Sequence, residues 1–326
     1  MAWLLRLFGL LLLVSALALP LLQAPDRPVE TLVARWAPAP SEFMDLQGQL
    51  VHYRDEGPRS DAAPIVLLHG TSASLHTWQG WSKALRGQRR VISLDLPGYG
   101  LTGPFAGDYP ARWAGQPLYT ADHYARFVLD LLDRLGVQRF VVAGNSLGGD
   151  VAWHLAAAAP QRVSHLVLVD AAGYRFNPES VPLGWRIARL PVLGRVTEHF
   201  LPRPFGLQGL RTVYGNPALI DEALIDRYFE LTLRTGNRAA LVQRLQAWSP
   251  DEGVDKVVGV TAPTLILWGG RDRLIPPAFA KRFAADIPGS QQVVFDDLGH
   301  VPQEEDPQRT VAAVKAFLGL PAAPGH

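Results

Sequence analysis

The chain has 326 residues, 48% of them hydrophobic, with 31 basic side chains against 30 acidic ones for a net charge of +1. That composition excludes a largely disordered polypeptide, allows one large domain or two small ones, and lacks the concentrated basic surface that nucleic acid as a partner would demand. With no cysteine, disulfides, thiolate metal sites and cysteine nucleophiles are excluded, and the chain tolerates oxidising or reducing compartments.

Behind Arg6, Leu7 to Leu22 form a nearly uninterrupted apolar run, followed by the proline-containing stretch QAPDRPVE. The run falls short of the roughly 20 residues that span a bilayer, although Met1 to Leu5 bring the segment close to that length. Ala16 and Ala18 form an A-x-A cleavage pattern with Pro20 just beyond it. Residues 1–24 are therefore expected to be an uncleaved membrane anchor or a cleaved signal. Either one places the body of the protein outside the cytoplasm, because the positive end of the segment stays inside. The protein is expected to be membrane-anchored and facing outward, or secreted or periplasmic. Residues 25–41 read as a polar linker.

EFMDLQGQLVHYRDEG reads as two short strands around a turn at Gly48. After it come the apolar runs PIVLLHG, RVISLDLPG, RFVVAGNS, RVSHLVLVD, PTLILWG and QQVVFDD, rich in β-branched residues and leucine, as strands buried on both faces of a parallel sheet are. Helical patterns separate most of them. In TADHYARFVLDLLDRLG the apolar positions Tyr124, Phe127, Val128, Leu131, Leu132 and Leu135 recur at three- and four-residue intervals, Thr120 can cap the start and Gly136 can end it. Strand and helix alternating in this way predict a doubly wound α/β sheet.

About 85 residues separate VLVDAAG from APTLILWGG, far more than a crossover helix needs, which predicts an inserted subdomain. Its second half is expected to start a helix at Asn216-Pro217 and continue through ALIDEALIDRYFELTLR. Its first half sets Arg186, Arg189, Arg195, Arg203 and Arg211 against one acid, Glu198, among tryptophan, leucine and isoleucine.

Gly144-Asn145-Ser146-Leu147-Gly148 stands after a predicted strand and before the predicted helix DVAWHLAAAA. Gly-x-Ser-x-Gly in that setting is a nucleophile elbow: the serine occupies a strained turn, and the small residues let strand and helix approach. The alternative is a serine that only caps the helix. A serine hydroxyl needs a base and a group to orient that base. His300, just after the last apolar strand, is the candidate base, whereas His123, His154 and His165 fall inside helix or strand patterns and read as structural. Asp272, after LILWGG, is the candidate acid, with Asp170 at the end of HLVLVD as the alternative; Asp296 and Asp297 read as solvated turn residues. Negative charge on the carbonyl oxygen requires N–H donors: Leu147, following the nucleophile, supplies one, and Thr71 in LLHGTSASLHTW the other, with Ser72 as its competitor. His69 reads as a brace for that loop.

His69-Gly70, DLPGYGLTGP, the elbow at Ser146, Asp272 after LILWGGRD and GHVPQEEDP around His300 occur in the order found in α/β-hydrolases. The chain resembles a serine hydrolase of that superfamily, of the carboxylesterase or lipase type with a cap domain, over about Glu42 to Leu320. The resemblance implies an eight-stranded, mostly parallel sheet with helices on both faces and a helical cap after strand six. It divides the chain into core (42–172), cap (173–250) and core again (251–320).

Dehalogenases and epoxide hydrolases of the superfamily carry aspartate at the elbow, and Ser146 argues against both. The resemblance leaves three serine-dependent classes: esterases or lipases, including monoacylglycerol lipase-like enzymes; C–C bond hydrolases of aromatic meta-cleavage products; and cofactor-free perhydrolases. The apolar, basic cap beside a membrane-directed N-terminus favours lipid-like or other apolar esters, although the cap arginines could equally hold an acid group. A non-catalytic binding protein of the same fold is the reading from a different class. The expected mechanism needs neither metal nor organic cofactor, and the expected partners are a small-molecule ester and, through the N-terminal segment, a membrane.

Overall fold

The computed structural model describes residues 24–175, 181–199, 202–249, 251 and 253–321, together with 3, 6–10 and 13. Eight strands form one sheet: β1 (Ser41–Leu46), β2 (Gln49–Glu56), β3 (Ile65–Leu68), β4 (Val91–Leu94), β5 (Phe140–Asn145), β6 (Val163–Val169), β7 (Thr264–Gly269) and β8 (Gln291–Phe295). Their spatial order is β1-β2-β4-β3-β5-β6-β7-β8; β2 pairs antiparallel with β1 and β4, and every other neighbouring pair is parallel.

The apolar runs are unbroken because successive residues feed different cores. Val66, Leu68, Val142, Leu166, Leu168 and Ile266 pack into one hydrophobic layer, whereas Ile65, Leu67, Val141, Val167, Leu265 and Leu267 pack into the other. A strand side chain alternates faces at every residue, so burial on both faces removes the polar half of the pattern.

From residue 24 onward the described helices are α1 (Val29–Trp36), α2 (Gln79–Leu85), α3 (Tyr109–Arg112), α4 (Ala121–Arg134), α5 (Leu147–Ala158), α6 (Leu183–Ala188), α7 (Leu193–Thr197), α8 (Arg203–Val213), α9 (Glu222–Thr232), α10 (Asn237–Ala247), α11 (Ala278–Asp286), α12 (Pro302–Glu305) and α13 (Pro307–Phe317). Thr120 caps α4 through a bond from the His123 N–H, and Gly136 follows its end in the left-handed conformation. Helices α6 to α10 lie between β6 and β7 and form the insertion.

Two expectations change. Residues 25–41 are not merely a linker, since α1 buries Leu32 against Leu101 and Leu231, and Arg35 and Trp36 bond Glu230 on α9. Val29, Leu32, Val33 and Trp36 recur at three- and four-residue intervals, and Val29, Leu32 and Trp36 pack in the cluster with Leu101 and Leu231, so VETLVARW carries a short apolar stripe that the reading as a polar linker passed over. The helix expected at Asn216 is also divided: Asn216 caps only a 3₁₀ turn at Pro217–Leu219, and α9 starts afresh with Asp221 accepting the Leu224 N–H at 2.7 Å. Among the described residues no helix is long and apolar enough to cross a membrane. Most of Leu7–Leu22, including Ala16, Ala18 and Pro20, lies outside the described residues.

Candidate active site

Ser146 joins β5 to α5 with φ 55° and ψ −115°, a backbone conformation in which a non-glycine residue is strained. The strain persists because strand and helix are pressed together around it. A Cβ on Gly144 would strike the carbonyl oxygen of Gly148, and a Cβ on Gly148 would strike that of Leu68. Both glycines are thus required by close approach, and the serine hydroxyl is set at the C-terminal edge of the sheet. The first turn of α5 leaves the Leu147 N–H without an intrahelical acceptor.

His300 is supplied by the loop between β8 and α12, where its backbone N–H donates to Val213 O at 2.7 Å. Its Nδ1 lies 2.7 Å from Asp272 Oδ2. A carboxylate only accepts, so Nδ1 carries the proton and Nε2 is left as the basic nitrogen. Asp272 follows β7, and its second oxygen accepts the N–H groups of Leu274 at 2.8 Å and Ile275 at 2.9 Å. The aspartate is thereby held before it meets the imidazole.

The alternative acid, Asp170, sits directly behind this pair rather than beside the histidine. One oxygen accepts the Gly269 N–H at 3.0 Å, and the other meets no N–H donor among the described residues and faces the Asp272 carboxylate. Burial, reinforced by the Asp272 charge, pushes the Asp170 carboxyl well above the usual carboxylate range. The raised pKa favours the protonated form of Asp170, whose hydroxyl would face the Asp272 carboxylate. Ligand-type atoms of Asp170, Asp272 and His300 lie within 4.8 Å of one another, a grouping compatible in composition with a cation. Here the Asp272–His300 bond and the two backbone N–H groups engage those atoms.

Opposite the elbow, Gly70 brings the loop after β3 so close that a Cβ there would stand 3.1 Å from the Ser146 Cβ. Thr71 and Ser72 follow it, and both line the cavity that contains Ser146 and His300. His69 braces this loop as expected: Nδ1 bonds Gly70 O at 2.8 Å, Nε2 accepts the Leu96 N–H at 3.0 Å, and burial lowers its pKa. The other histidines also have structural surroundings, with His123 stacked on Trp113 and His154 bonded to Asp122 at 2.7 Å.

The cavity measures about 430 Å³, and its far wall is the cap, through residues such as Trp185, Ile187, Phe205, Leu210 and Leu241. Arg238 is the single permanently charged side chain among its described lining residues, and it pairs with Asp26 at 2.6 Å. The cap arginines noted in the sequence lie elsewhere: Arg203 pairs with Glu222 and Asp226, and Arg189 covers the Trp248 ring.

Three supporting groups escaped the sequence reading. Asn145 donates its amide to Val169 O at 3.1 Å and to His300 O at 2.9 Å, joining β6, the elbow and the histidine loop. Glu305 accepts N–H groups from Gly215 at 2.8 Å and Gly299 at 2.8 Å, fastening that loop to the cap. Asp95, in the DLPG segment, binds His52 Nδ1 at 2.7 Å and accepts the N–H groups of Leu75 and Leu101. All three lie inside motifs quoted from the sequence, Asn145 in the elbow, Asp95 in DLPGYGLTGP and Glu305 in GHVPQEEDP, but nothing in those motifs assigned them a partner.

A family model described as the α/β-hydrolase fold matches residues 63–307. The chain is 30% identical over 301 residues to 2-hydroxy-6-oxononadienedioate/2-hydroxy-6-oxononatrienedioate hydrolase 2 of Pseudomonas putida, covering 89% of this chain and 97% of that one. It is 27% identical to the hydrolase YugF of Bacillus subtilis (strain 168), over 82% of this chain and 92% of the other. The solved structure of a membrane phospholipase A superposes with a TM-score of 0.69 at 25% identity, covering 98% of each chain. The chain belongs to the α/β-hydrolase family, and it is a hydrolase with that family's eight-stranded sheet.

Proposed function

We propose that this hydrolase cleaves carboxylic esters with apolar acyl groups through Ser146, His300 and Asp272. The observation that carries the reading is the shape of the site: a strained serine and an aspartate-bound histidine open into one cavity whose walls are almost entirely apolar. His300 Nε2 takes the Ser146 proton as the oxygen attacks the carbonyl, and the N–H groups of Leu147 and Thr71 receive the oxyanion. Asp272 holds the imidazole tautomer and balances its charge. The same imidazole then protonates the leaving alcohol and activates the water that releases the acid.

The relatives named as dioate hydrolases support a second reading, C–C bond cleavage of ring-cleavage products. Such substrates carry two carboxylates, and among its described lining residues the cavity presents one permanent cation, Arg238, already paired with Asp26. An apolar ester fits this lining better. The membrane phospholipase A resemblance is consistent with a lipid-like substrate, and the apolar run at Leu7–Leu22 with membrane association and a body outside the cytoplasm.

A fluorophosphonate probe should label the protein at Ser146, and a p-nitrophenyl ester series should show turnover rising with acyl length until the cavity is filled. An inert scaffold would take up no label. Preference for a vinylogous 1,5-diketone acid over every ester in the series would transfer the assignment to C–C hydrolysis.

A further inference from the structure

The cap carries one surface that the reaction does not use. Between α6 and α7 the chain turns through Leu190-Pro191-Val192-Leu193, and all four residues face solvent, with Leu190 48%, Val192 77% and Leu193 48% exposed. Scattered exposed leucines are ordinary, but four consecutive apolar residues at the tip of a turn are not. Arg186, Arg189 and Arg195 surround the tip and are exposed. Among the described residues none of the three is ion-paired, and Arg189 lies over the Trp248 ring.

We propose that this tip is a docking surface for an anionic lipid bilayer, with Leu190, Val192 and Leu193 entering the headgroup region and the three arginines resting on lipid phosphates. Long arginine stems suit that position, since they follow apolar surface while the guanidinium stays among polar groups. Anionic lipid also supplies the counter-charge that these three arginines lack among the described residues. A second copy of the chain fits poorly, because a two-fold contact through this tip would set three arginines against the same three.

Two further observations place a bilayer within reach. Trp185, Ile187 and Ala188, on the helix leading into the tip, line the cavity that holds Ser146, so the tip is the outer side of a cavity wall. The chain just after the apolar run Leu7–Leu22 is fastened to the same cap: the Arg27 N–H donates to Leu233 O at 2.7 Å, Arg27 O accepts the Thr235 N–H at 2.9 Å, and Asp26 pairs with Arg238. A segment held at a membrane therefore holds the cap near it. This inference concerns the surface and stands whether or not Ser146 cleaves esters.

The absence of cysteine makes the test direct. The full chain carrying Val192→Cys, labelled with an environment-sensitive fluorophore, is reconstituted with vesicles of phosphatidylcholine alone or mixed with phosphatidylglycerol. Lys83→Cys, exposed on α2, serves as the control position. In the anionic vesicles the label at 192 should shift to the blue and be quenched by brominated acyl chains at least about threefold more than the label at 83. Arg189→Glu with Arg195→Glu, or high salt, should reverse most of that difference. A label at 192 that stays aqueous and unquenched in both vesicle types would overturn the proposal. So would quenching that ignores lipid charge and salt, or a blue shift that grows with protein concentration without vesicles and marks a second copy as the occupant.

Discussion

Two histidine–aspartate pairs stand at the sheet edge, each with a nitrogen-to-oxygen distance of 2.7 Å and each buried: His300 with Asp272, and His52 with Asp95. By pair geometry alone either could be an activated base. What separates them is the other ring nitrogen. That of His300 belongs to a residue lining the large cavity beside Ser146, whereas Nε2 of His52 is buried without a partner among the described residues, with Phe43 stacked on the ring at 5.0 Å. Asp95 takes two loop N–H groups as well as its histidine. Burial alone would raise its pKa, but the His52 charge and hydrogen bond hold the carboxyl well below the usual range. The same pair of residue types thus organises loops in one place and faces substrate in the other.

The comparison can be broken most decisively at the cavity. Ser146→Ala should lower kcat for a p-nitrophenyl ester by about 10⁴-fold or more with an unchanged melting temperature. Near-normal turnover would remove Ser146 from the mechanism. At the acids, Asp272→Asn should reduce kcat by about 10⁴-fold, since the amide can present an N–H where His300 needs an acceptor. Asp170→Asn should lose less than about tenfold, or about 1.4 kcal/mol, because asparagine can both donate to Asp272 and accept from Gly269. Equal losses in the two variants would make the acids a shared pair.

At the His52–Asp95 pair the expected effect is on stability. Asp95→Asn should lower unfolding free energy by about 3 to 5 kcal/mol, read from denaturant midpoints, while the folded fraction keeps its turnover. A large fall in kcat with unchanged stability would assign the second pair a part in the chemistry.

The smallest effect is a dependence on pH. Asp170 binds its proton more tightly folded than unfolded, so its contribution is full below the unfolded carboxyl pKa of about 3.9 and declines as pH rises toward the raised folded value. Asp170→Asn removes the decline. Between about pH 4 and pH 5 its stability relative to the parent chain should rise by no more than about 1.4 kcal/mol. A difference independent of pH would mean that Asp170 is ionised.

The sheet was legible because its strands are apolar at every position, and the elbow because glycine at 144 and 148 answers a contact no other residue tolerates. Ser146, Asp272 and His300 each follow a strand, so local pattern sufficed to place them at one edge. Choosing between Asp170 and Asp272 required geometry: both end strands, and only the fold shows that one meets His300 and the other meets the first acid. Helix α1 has an apolar stripe over only two turns, and where it docks was not readable because its polar partners, Glu230 and Asp226, come from the cap almost two hundred residues away. The roles of Glu305 and Asp95 stayed hidden although both lie in quoted motifs, since each bonds backbone N–H groups of its own and of another loop and such contacts leave no mark in sequence.

Asn145 ties the elbow to the histidine loop through two donated amide protons. Asparagine is among the residues that heat degrades chemically. Deamidation at this position would set a carboxylate against the two carbonyl oxygens that the amide now binds, forcing Ser146 and His300 apart without unfolding the sheet. Burial and the two bonds shield this amide from that chemistry in the folded chain, so Asn145→Asp made by mutation is the way to see the effect, as a loss of turnover larger than the loss of structure.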